Sequence, residues 1–190
     1  MKAAVLDGVR KVVIRDVPDP VLDKDEVLIR VQYCGICGSD LHLYEYGTCY
    51  PVGHEWSGTI VDLGTNVEGL QVGDRVTYNP NVPCEERCYW CKRGQTSLCD
   101  KFLEGVTRTD VGAFATYVKK KPDHLHKLPD EVTYEEGALV EPTSIALHTV
   151  NMSGIKLGDV VAVFGLGPIG QLVAQLAKLS AKAVYGTEIS

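Results

Sequence analysis

The residues best suited to chemistry in this chain are concentrated between Cys34 and Gly58. This stretch of 25 residues contains three cysteines, two histidines and three acids. Cys37 and His54 would give zinc one soft sulfur ligand and one borderline nitrogen ligand. Two or three protein ligands plus a solvent-filled position are the form that catalytic zinc sites take. The stretch therefore predicts a catalytic metal site at Cys37 and His54.

Acidic residues could complete or orient such a site. Glu55 follows His54 directly, and Glu141 lies further along the chain in the segment E-P-T-S. Asp40, three residues after Cys37, could accept a hydrogen bond from a ligand imidazole and fix its tautomer. The residues alone thus indicate two or three metal ligands without choosing between the acids.

A second group of cysteines follows on a loop that contains Gly and Pro. The spacing is C-x3-C-x2-C-x7-C within 16 residues, and the members are Cys84, Cys88, Cys91 and Cys99. Four thiolates fill a tetrahedral zinc site and leave no open position. The array predicts a structural zinc site that holds a loop and does no chemistry. Buried or unligated cysteines are the alternative.

A glycine-rich turn matches the dinucleotide-binding pattern G-x-G-x-x-G. Gly165, Gly167 and Gly170 follow an apolar strand over 158–165, which we expect to be buried on both faces. The three glycines permit a tight turn, the approach of a pyrophosphate, and close packing of helix on strand. Glu188, 18 residues after Gly170, would accept hydrogen bonds from both ribose hydroxyls and repel a 2′-phosphate. The pattern predicts NAD rather than NADP, with a plain glycine turn as the alternative.

The elements that must position these groups differ along the chain. The first two-thirds contains short β-rich stretches with no helical period between them, namely KVVIRDV, EVLIRVQYC, GTIVDLG, DRVTYNP and AFATYVKK. This pattern predicts a β-barrel or sandwich. The one basic run, Lys119–Lys121, is interpreted as a solvated strand end.

The pattern becomes helical near Thr133. Thr133 and Glu136 fit a capping box, and Pro142 should kink or interrupt the run that follows. AKAVYGTEIS near the end predicts a strand, so the last part of the chain is β-α-β. The helix between the two strands has apolar residues at helical spacing, at Ile169, Leu172, Val173 and Leu176.

Composition limits the classes of function. Of the 190 residues, 45% are hydrophobic and 23% are charged, as in folded globular proteins. The net charge of −6 argues against a nucleic-acid partner, since phosphate binding needs an excess of Lys and Arg. We expect no membrane partner and a cytoplasmic location, because no apolar stretch could span a bilayer and the N-terminus lacks signal-peptide features.

Cysteine usage fits a reducing compartment, where seven cysteines indicate metal binding or reactivity rather than disulfides. Cys34-x-x-Cys37 could also be a redox pair. That motif belongs at a strand-to-helix junction inside a β-α-β unit, and this region is β-rich. Cys34 and Cys49 are interpreted as small core or loop residues.

These motifs together resemble the zinc-dependent medium-chain alcohol/polyol dehydrogenase family, which includes sorbitol, butanediol and threonine dehydrogenases. The matching segments are CGICGSDLH, GHEWSG, GTNVEGLQVGDRV, the four-cysteine loop, GAFATYV, LVEPTSIALH and VFGLGPIG. They cover nearly the whole chain in the family's order. The resemblance implies a mixed β and α/β fold. Its parts are a GroES-like β-barrel catalytic domain over residues 1–150 and the incomplete start of a Rossmann NAD-binding domain over 151–190.

The resemblance also implies a ligand set. Cys37 and His54 match the family's catalytic zinc ligands, and Glu55 matches an acid that ligates zinc directly or swings in and out. Glu141 matches a position that is cysteine in liver-type alcohol dehydrogenases and an acid in polyol dehydrogenases. An acid there makes the zinc site harder and compatible with vicinal diols or polyols that chelate through two oxygens.

The implied reaction is hydride transfer from a secondary alcohol, diol or polyol to NAD, with one catalytic and one structural zinc. Ser39 matches the hydroxyl that binds the substrate alcohol. His42 matches the outer member of the proton relay, with a surface loop histidine as the alternative. A full-length member would be a homodimer or homotetramer. The cofactor contacts implied are Gly165, Gly167, Ile169, Gly170 and Glu188.

Three features depart from the family. The interval from Cys37 to His54 is short, and the spacing from Cys84 to Cys88 is one residue longer than usual. Family members also continue well beyond Ser190, so we expect this chain to be an N-terminal portion in which zinc binding survives better than catalysis. Three alternatives stay open: an inert GroES-like zinc-binding module, threonine 3-dehydrogenase-like activity in a full-length parent, and a zinc-free quinone reductase.

Overall fold

The computed structural model describes residues 1–47, 52–81, 83–84, 88–101 and 112–189. They form two compact units, Met1–Ala138 and Leu139–Ser190. The predicted mixed β and α/β class is confirmed, because the first unit is mainly sheet and the second is β-α-β preceded by a helix. The predicted domain boundary after residue 150 stays a prediction, since the two units separate at the start of a helix that spans it. Cys49, interpreted as a core or loop residue, lies outside the described residues.

Within the described residues, seven strands belong to the first unit. They are β1 (Lys2–Leu6), β2 (Val12–Asp16), β3 (Val27–Gly35), β4 (Glu55–Leu63), β5 (Arg75–Tyr78), β6 (Tyr117–Lys120) and β7 (Leu125–Lys127). β1 and β2 pair as an antiparallel hairpin, and the other five form an antiparallel sheet in the order β6-β3-β4-β5-β7. Across the described ranges the pairing leaves this sheet open, so the predicted closed barrel is not what these strands form.

The two faces of β4 have different neighbours. Trp56 and Ile60 face the apolar core, where Trp56 stacks on Tyr78 with ring centroids 5.4 Å apart. Ser57 and Thr59 point the other way, because successive strand residues alternate between faces. Ser57 donates a hydrogen bond to the Tyr134 carbonyl, and the Thr59 and Tyr134 hydroxyls lie 2.7 Å apart. Glu55, at the start of β4, shares the face of Ser57 rather than that of the core.

In the part of the first unit that the structure describes, two helices accompany the sheet, α1 (Gly38–Tyr46) and α2 (Tyr134–Ala138). The expectation of no helix between the strands was wrong for α1. The buried residue of α1 is Asp40, so the helix has no apolar stripe and its sequence shows no helical period. Its ends define it instead: Asp40 accepts the backbone N–H of Cys37, and Gly47 ends the helix in the left-handed conformation (φ 69°).

The predicted capping box at the start of α2 is confirmed. The Glu136 carboxylate accepts the Thr133 backbone N–H at 2.8 Å, and the Thr133 hydroxyl accepts the Glu136 N–H at 3.2 Å. Short 3-10 turns occur at Cys91–Arg93, Thr96–Leu98 and Pro122–His124.

The second unit contains α3 (Val140–Ser153), β8 (Val160–Phe164), α4 (Pro168–Ala177) and β9 (Ala183–Thr187). β8 and β9 are parallel, which confirms the predicted β-α-β order. Pro142 lies in the first turn of α3, where a missing N–H costs no helical bond, and the helical run is interrupted before it at Leu139. The expected burial of β8 on both faces was wrong. Val163 is buried, but Phe164 is 83% exposed, because within this unit one strand and one helix cover β8.

The basic run at the end of β6 is not simply solvated, contrary to the prediction. Lys119 forms an ion pair with Glu26 at 2.8 Å. The Lys120 ammonium lies 4.8 Å from the centroid of the Tyr78 ring, and burial lowers the pKa of Lys120 to about 8. Among the described helices, none has both the length and the apolar character needed to cross a membrane.

Candidate metal centres and nucleotide turn

Pairing of β3 with β4 brings the predicted catalytic ligands together. Cys37 lies just after β3, at the N-terminus of α1, while His54 immediately precedes β4 and Glu55 is the first residue of β4, paired with Gly35 at the end of β3. One ligand atom from each of these three residues lies within 4.8 Å of the other two. A sulfur, an imidazole nitrogen and a carboxylate oxygen at this separation fit one zinc ion, and three protein ligands leave a fourth position open.

Asp40 connects the two segments that carry these ligands. One carboxylate oxygen accepts the backbone N–H of Cys37 at 2.9 Å, and the other accepts the N–H of Gly53 at 3.2 Å. The Nδ1 atom of His54 is 3.8 Å from the same carboxylate, which is longer than a hydrogen bond. Asp40 thus holds the backbone on both sides of the site, and its predicted bond to the imidazole stays a prediction.

The electrostatics around Cys37 favour the thiol in the absence of an ion. Burial raises the pKa of Cys37, while hydrogen bonds from the side chain and backbone of Ser39 lower it. Glu55 is 9% exposed and its charge adds to the rise. A divalent cation reverses this balance, because metal binding stabilises the thiolate.

The two predicted relay residues lie on α1. Ser39 and His42 are exposed and three residues apart, so they occupy one face of the helix. Asp40 lies between them in the sequence but is buried at 6% exposure. Glu141 lies in the first turn of α3, in the second compact unit, and its predicted role as a ligand stays a prediction.

The four cysteines of the second group converge. The Sγ atoms of Cys84 and Cys91 are 3.8 Å apart and those of Cys88 and Cys99 are 4.0 Å apart, and all four lie within 4.8 Å of one another. Tetrahedral zinc with Zn–S bonds of about 2.3 Å places its sulfurs about 3.8 Å apart. The four thiols therefore fit a closed zinc site, and no disulfide joins any cysteine in the described ranges.

Backbone N–H groups support these sulfurs. The N–H of Cys88 points to the sulfur of Cys84 at 3.3 Å, and that of Lys101 to the sulfur of Cys99 at 3.4 Å. Hydrogen bonds from the backbone N–H groups of Cys91 and Asp100 lower the pKa of Cys88 to about 6, while burial raises the pKa of Cys91 to about 12. A loop that already donates hydrogen bonds to sulfur is suited to thiolates bound to a metal.

The glycine turn has the geometry predicted for it. Gly165 has φ 89°, which L-residues rarely adopt, and a Cβ at Gly170 would lie 1.8 Å from the Gly165 carbonyl oxygen. Nothing lies within 4 Å of the position of a Cβ at Gly167, so the backbone there is open to a ligand. The Glu188 carboxylate accepts the N–H of Leu166 at 2.7 Å and therefore lies at the turn. Ile169 follows in the first turn of α4.

Sequence reasoning missed two glycines that shape the first centre. Gly53 provides the second N–H donor to Asp40, and Gly35 lies across the sheet from Glu55. Neither contact has a signal in the sequence, because each depends on the β3–β4 register and on the hidden helix α1.

Comparison with known proteins finds relatives among dehydrogenases. The chain is 43% identical to sorbitol dehydrogenase from Bombyx mori over 195 aligned positions, which cover 98% of this chain and 55% of that protein. The structure of 2R,3R-butanediol dehydrogenase from Bacillus subtilis matches with a TM-score of 0.87 and 39% identity, covering 100% of this chain and 58% of that one. A protein from Sinorhizobium meliloti 1021, assigned as a zinc-binding dehydrogenase and bound to NADP, matches with a TM-score of 0.91 and 36% identity. The match covers 100% of this chain and 56% of that one.

The chain spans about half the length of the curated relatives it matches. Within it, residues 23–130 match the family described as the alcohol dehydrogenase GroES-like domain, and this range includes the four-cysteine loop together with Cys37, His54 and Glu55. The chain therefore belongs to the alcohol dehydrogenase GroES-like domain family.

Proposed function

We propose that the protein is a zinc-dependent oxidoreductase that transfers a hydride from a secondary alcohol, diol or polyol to NAD. The observation that carries the proposal is the convergence of Cys37, His54 and Glu55, whose ligand atoms lie within 4.8 Å of one another. Zinc held there would supply Lewis-acid chemistry to an alcohol oxygen. The four-cysteine group has no open position and would serve the structure of its loop.

The residues of α1 would manage the proton. Ser39 is exposed beside Cys37 and would accept the proton of the substrate hydroxyl as it passes its own proton on. His42, on the same face of the helix, would transfer the proton to solvent. Asp40 does not touch the substrate in this scheme: it holds the backbone of both ligand segments through its two carboxylate oxygens.

The cofactor would bind at the glycine turn. The open backbone at Gly167 and the N-terminus of α4 suit a pyrophosphate, with Gly165, Ile169 and Gly170 shaping the turn. The Glu188 carboxylate at this turn would accept ribose hydroxyls and repel a 2′-phosphate, which favours NAD. The Sinorhizobium meliloti protein is bound to NADP, so the choice of cofactor needs a direct test.

Two relatives point to the substrate class. They are named sorbitol dehydrogenase and 2R,3R-butanediol dehydrogenase, so both names specify a polyol or a diol. We propose a substrate with vicinal hydroxyl groups. A cytoplasmic location and a homodimer or homotetramer of the whole protein complete the proposal.

The test is reduction of NAD by candidate alcohols. Purified zinc-loaded protein is mixed with NAD or NADP and with sorbitol, xylitol, 2R,3R-butanediol, L-threonine or ethanol, and absorbance of the reduced nicotinamide is followed. We expect NAD to be reduced faster than NADP, and polyols or the diol to be used faster than ethanol and threonine. A faster rate with NADP contradicts the role of Glu188, and preference for threonine or ethanol contradicts the substrate class.

A second candidate is a zinc-binding module without catalysis. It is favoured by the four-cysteine group, which fits a closed zinc site and leaves no position open to a substrate. Full zinc occupancy without reduction of either nucleotide would support this candidate over the first.

A further inference from the structure

We propose that Gly35 is a positioning residue for the first metal centre, because its missing side chain makes the space that the Glu55 carboxylate occupies. The inference rests on the proposed metal centre at Cys37, His54 and Glu55. Gly35 would contact neither the ion nor the substrate and would act only through Glu55.

The close approach follows from the β3–β4 register. Gly35 is the last residue of β3 and pairs directly with Glu55, the first residue of β4. A Cβ placed on Gly35 would lie 2.5 Å from Oε2 of Glu55 and 3.3 Å from its Cβ. The first distance is far shorter than a van der Waals contact, so a side chain at position 35 and the present carboxylate position exclude each other.

Backbone conformation does not explain this glycine. Nine glycines of the described chain have positive φ, and Gly35 is not among them. Alanine could adopt its backbone angles without strain. The requirement at position 35 is therefore one of space, and the group that needs the space is the carboxylate of Glu55.

The Glu55 carboxylate, rather than the backbone, would yield to a side chain at position 35. Glu55 is 9% exposed, its carboxylate lies close to Gly35 on the neighbouring strand, and it accepts a hydrogen bond from the Cys37 thiol. A new Cβ would meet the far end of a flexible side chain, so we expect the carboxylate to rotate away while the strands stay paired. Alanine at position 35 should thus leave the fold intact and move the Glu55 carboxylate away from the other two ligands, Cys37 and His54.

Gly38 provides a matched control. It is close to Gly35 in the sequence, adjoins the ligand Cys37, and also lacks positive φ. Nothing lies within 4 Å of the position where its Cβ would stand. Both Gly→Ala changes add one methyl group near the centre, but only the change at Gly35 collides with Glu55.

The experiment measures zinc affinity of the first centre by competition with a chromophoric chelator, and the visible spectrum of cobalt bound there. In Gly35→Ala we expect the zinc dissociation constant to rise about 10- to 100-fold, the range found when groups that orient metal ligands are removed. The cobalt spectrum should shift toward that of Glu55→Ala. Gly38→Ala should match the wild type in both, and the four-cysteine centre should stay loaded in every variant.

A double-mutant cycle with Glu55→Ala decides whether Gly35 acts through the carboxylate. Once the carboxylate is absent, Gly35→Ala should change zinc affinity by less than about twofold, since interacting positions are non-additive. An equal loss in both backgrounds overturns the inference. If Gly35→Ala fails to fold, Glu55→Ala should restore folding, and a double variant that stays unfolded also overturns it. Cys37→Ala tests the proposed metal centre separately from the role of Gly35: if this variant leaves the metal content unchanged, the proposed centre itself is wrong.

Discussion

Replacing Asp40 tests the arrangement on which the first metal centre depends. Asp40 is 6% exposed, and its carboxylate accepts the backbone N–H groups of Cys37 and Gly53 at 2.9 and 3.2 Å. Asp40→Ala would leave both donors without their acceptor. A fully buried donor that loses its partner costs about 1–3 kcal/mol, and both of these bonds are partly buried, so we expect the free energy of unfolding to fall by about 2–3 kcal/mol.

Two controls separate hydrogen bonding from bulk and charge. Asp40→Asn keeps one acceptor oxygen but turns an amide N–H₂ toward the other donor, so we expect about half the loss. Asp130→Ala removes an exposed carboxylate of the same unit and should change stability by less than about 0.5 kcal/mol.

The assay is urea unfolding followed by fluorescence, with the buried Trp56 as the reporter within the same unit. The series is repeated in a Cys37→Ala background, where an ion at the first centre cannot contribute. The backbone bonds remain in that background, so the same loss is expected. A loss below about 1 kcal/mol for Asp40→Ala in both backgrounds would show that Asp40 does not hold the two segments together.

Three further results follow from the first unit. Burial lowers the pKa of Lys120 to about 8, so between pH 8 and its ordinary pKa of 10.5 the unfolded chain binds more protons than the folded one, and stability should rise with pH. The free energy of unfolding, measured by urea unfolding, should gain about 2 kcal/mol from pH 8 to 10 relative to Lys120→Met. Tyr78 is present in both proteins, so its ionisation cancels in the comparison; parallel pH profiles would contradict the expectation. Thr133→Ala should lose about 1 kcal/mol, with Thr133→Ser close to wild type, because the hydroxyl caps the Glu136 N–H; equal losses in both variants would refute the capping role. Ile60→Ala should cost about 2–5 kcal/mol and Ile60→Val about 1 kcal/mol in the same assay, since Ile60 is fully buried; values within error of wild type would place it outside the core.

Features with a local cause were predictable from the sequence. The capping box at Thr133 requires two side chains three residues apart, and the turn at Gly165 requires a glycine where φ is positive. The four cysteines lie on one short loop, so their spacing nearly fixes their convergence. In each case the interacting groups are close in the sequence, so the spacing of the residues alone predicts the local structure.

Features that depend on distant pairing could not be predicted. α1 buries Asp40 instead of an apolar stripe, so periodicity gave no sign of the helix that carries Ser39 and His42. The contact of Gly35 with Glu55 exists only in one register of β3 on β4, and a shift of one residue would remove it. The basic run predicted a solvated Lys120. Its position over the Tyr78 ring depends on the order of strands in the sheet, which the run itself does not reveal.

The chain is proposed to hold two separate metal centres, and the metal content of the purified chain tests this most directly. Zinc is measured per chain for the wild type, Cys37→Ala and Cys88→Ala, with thermal unfolding to confirm that each variant is folded. We expect two zinc ions in the wild type and one in each variant, because the two ligand groups share no residue. A single zinc that is retained in Cys37→Ala and lost in Cys88→Ala would contradict the account, since only the four-cysteine loop would then bind metal.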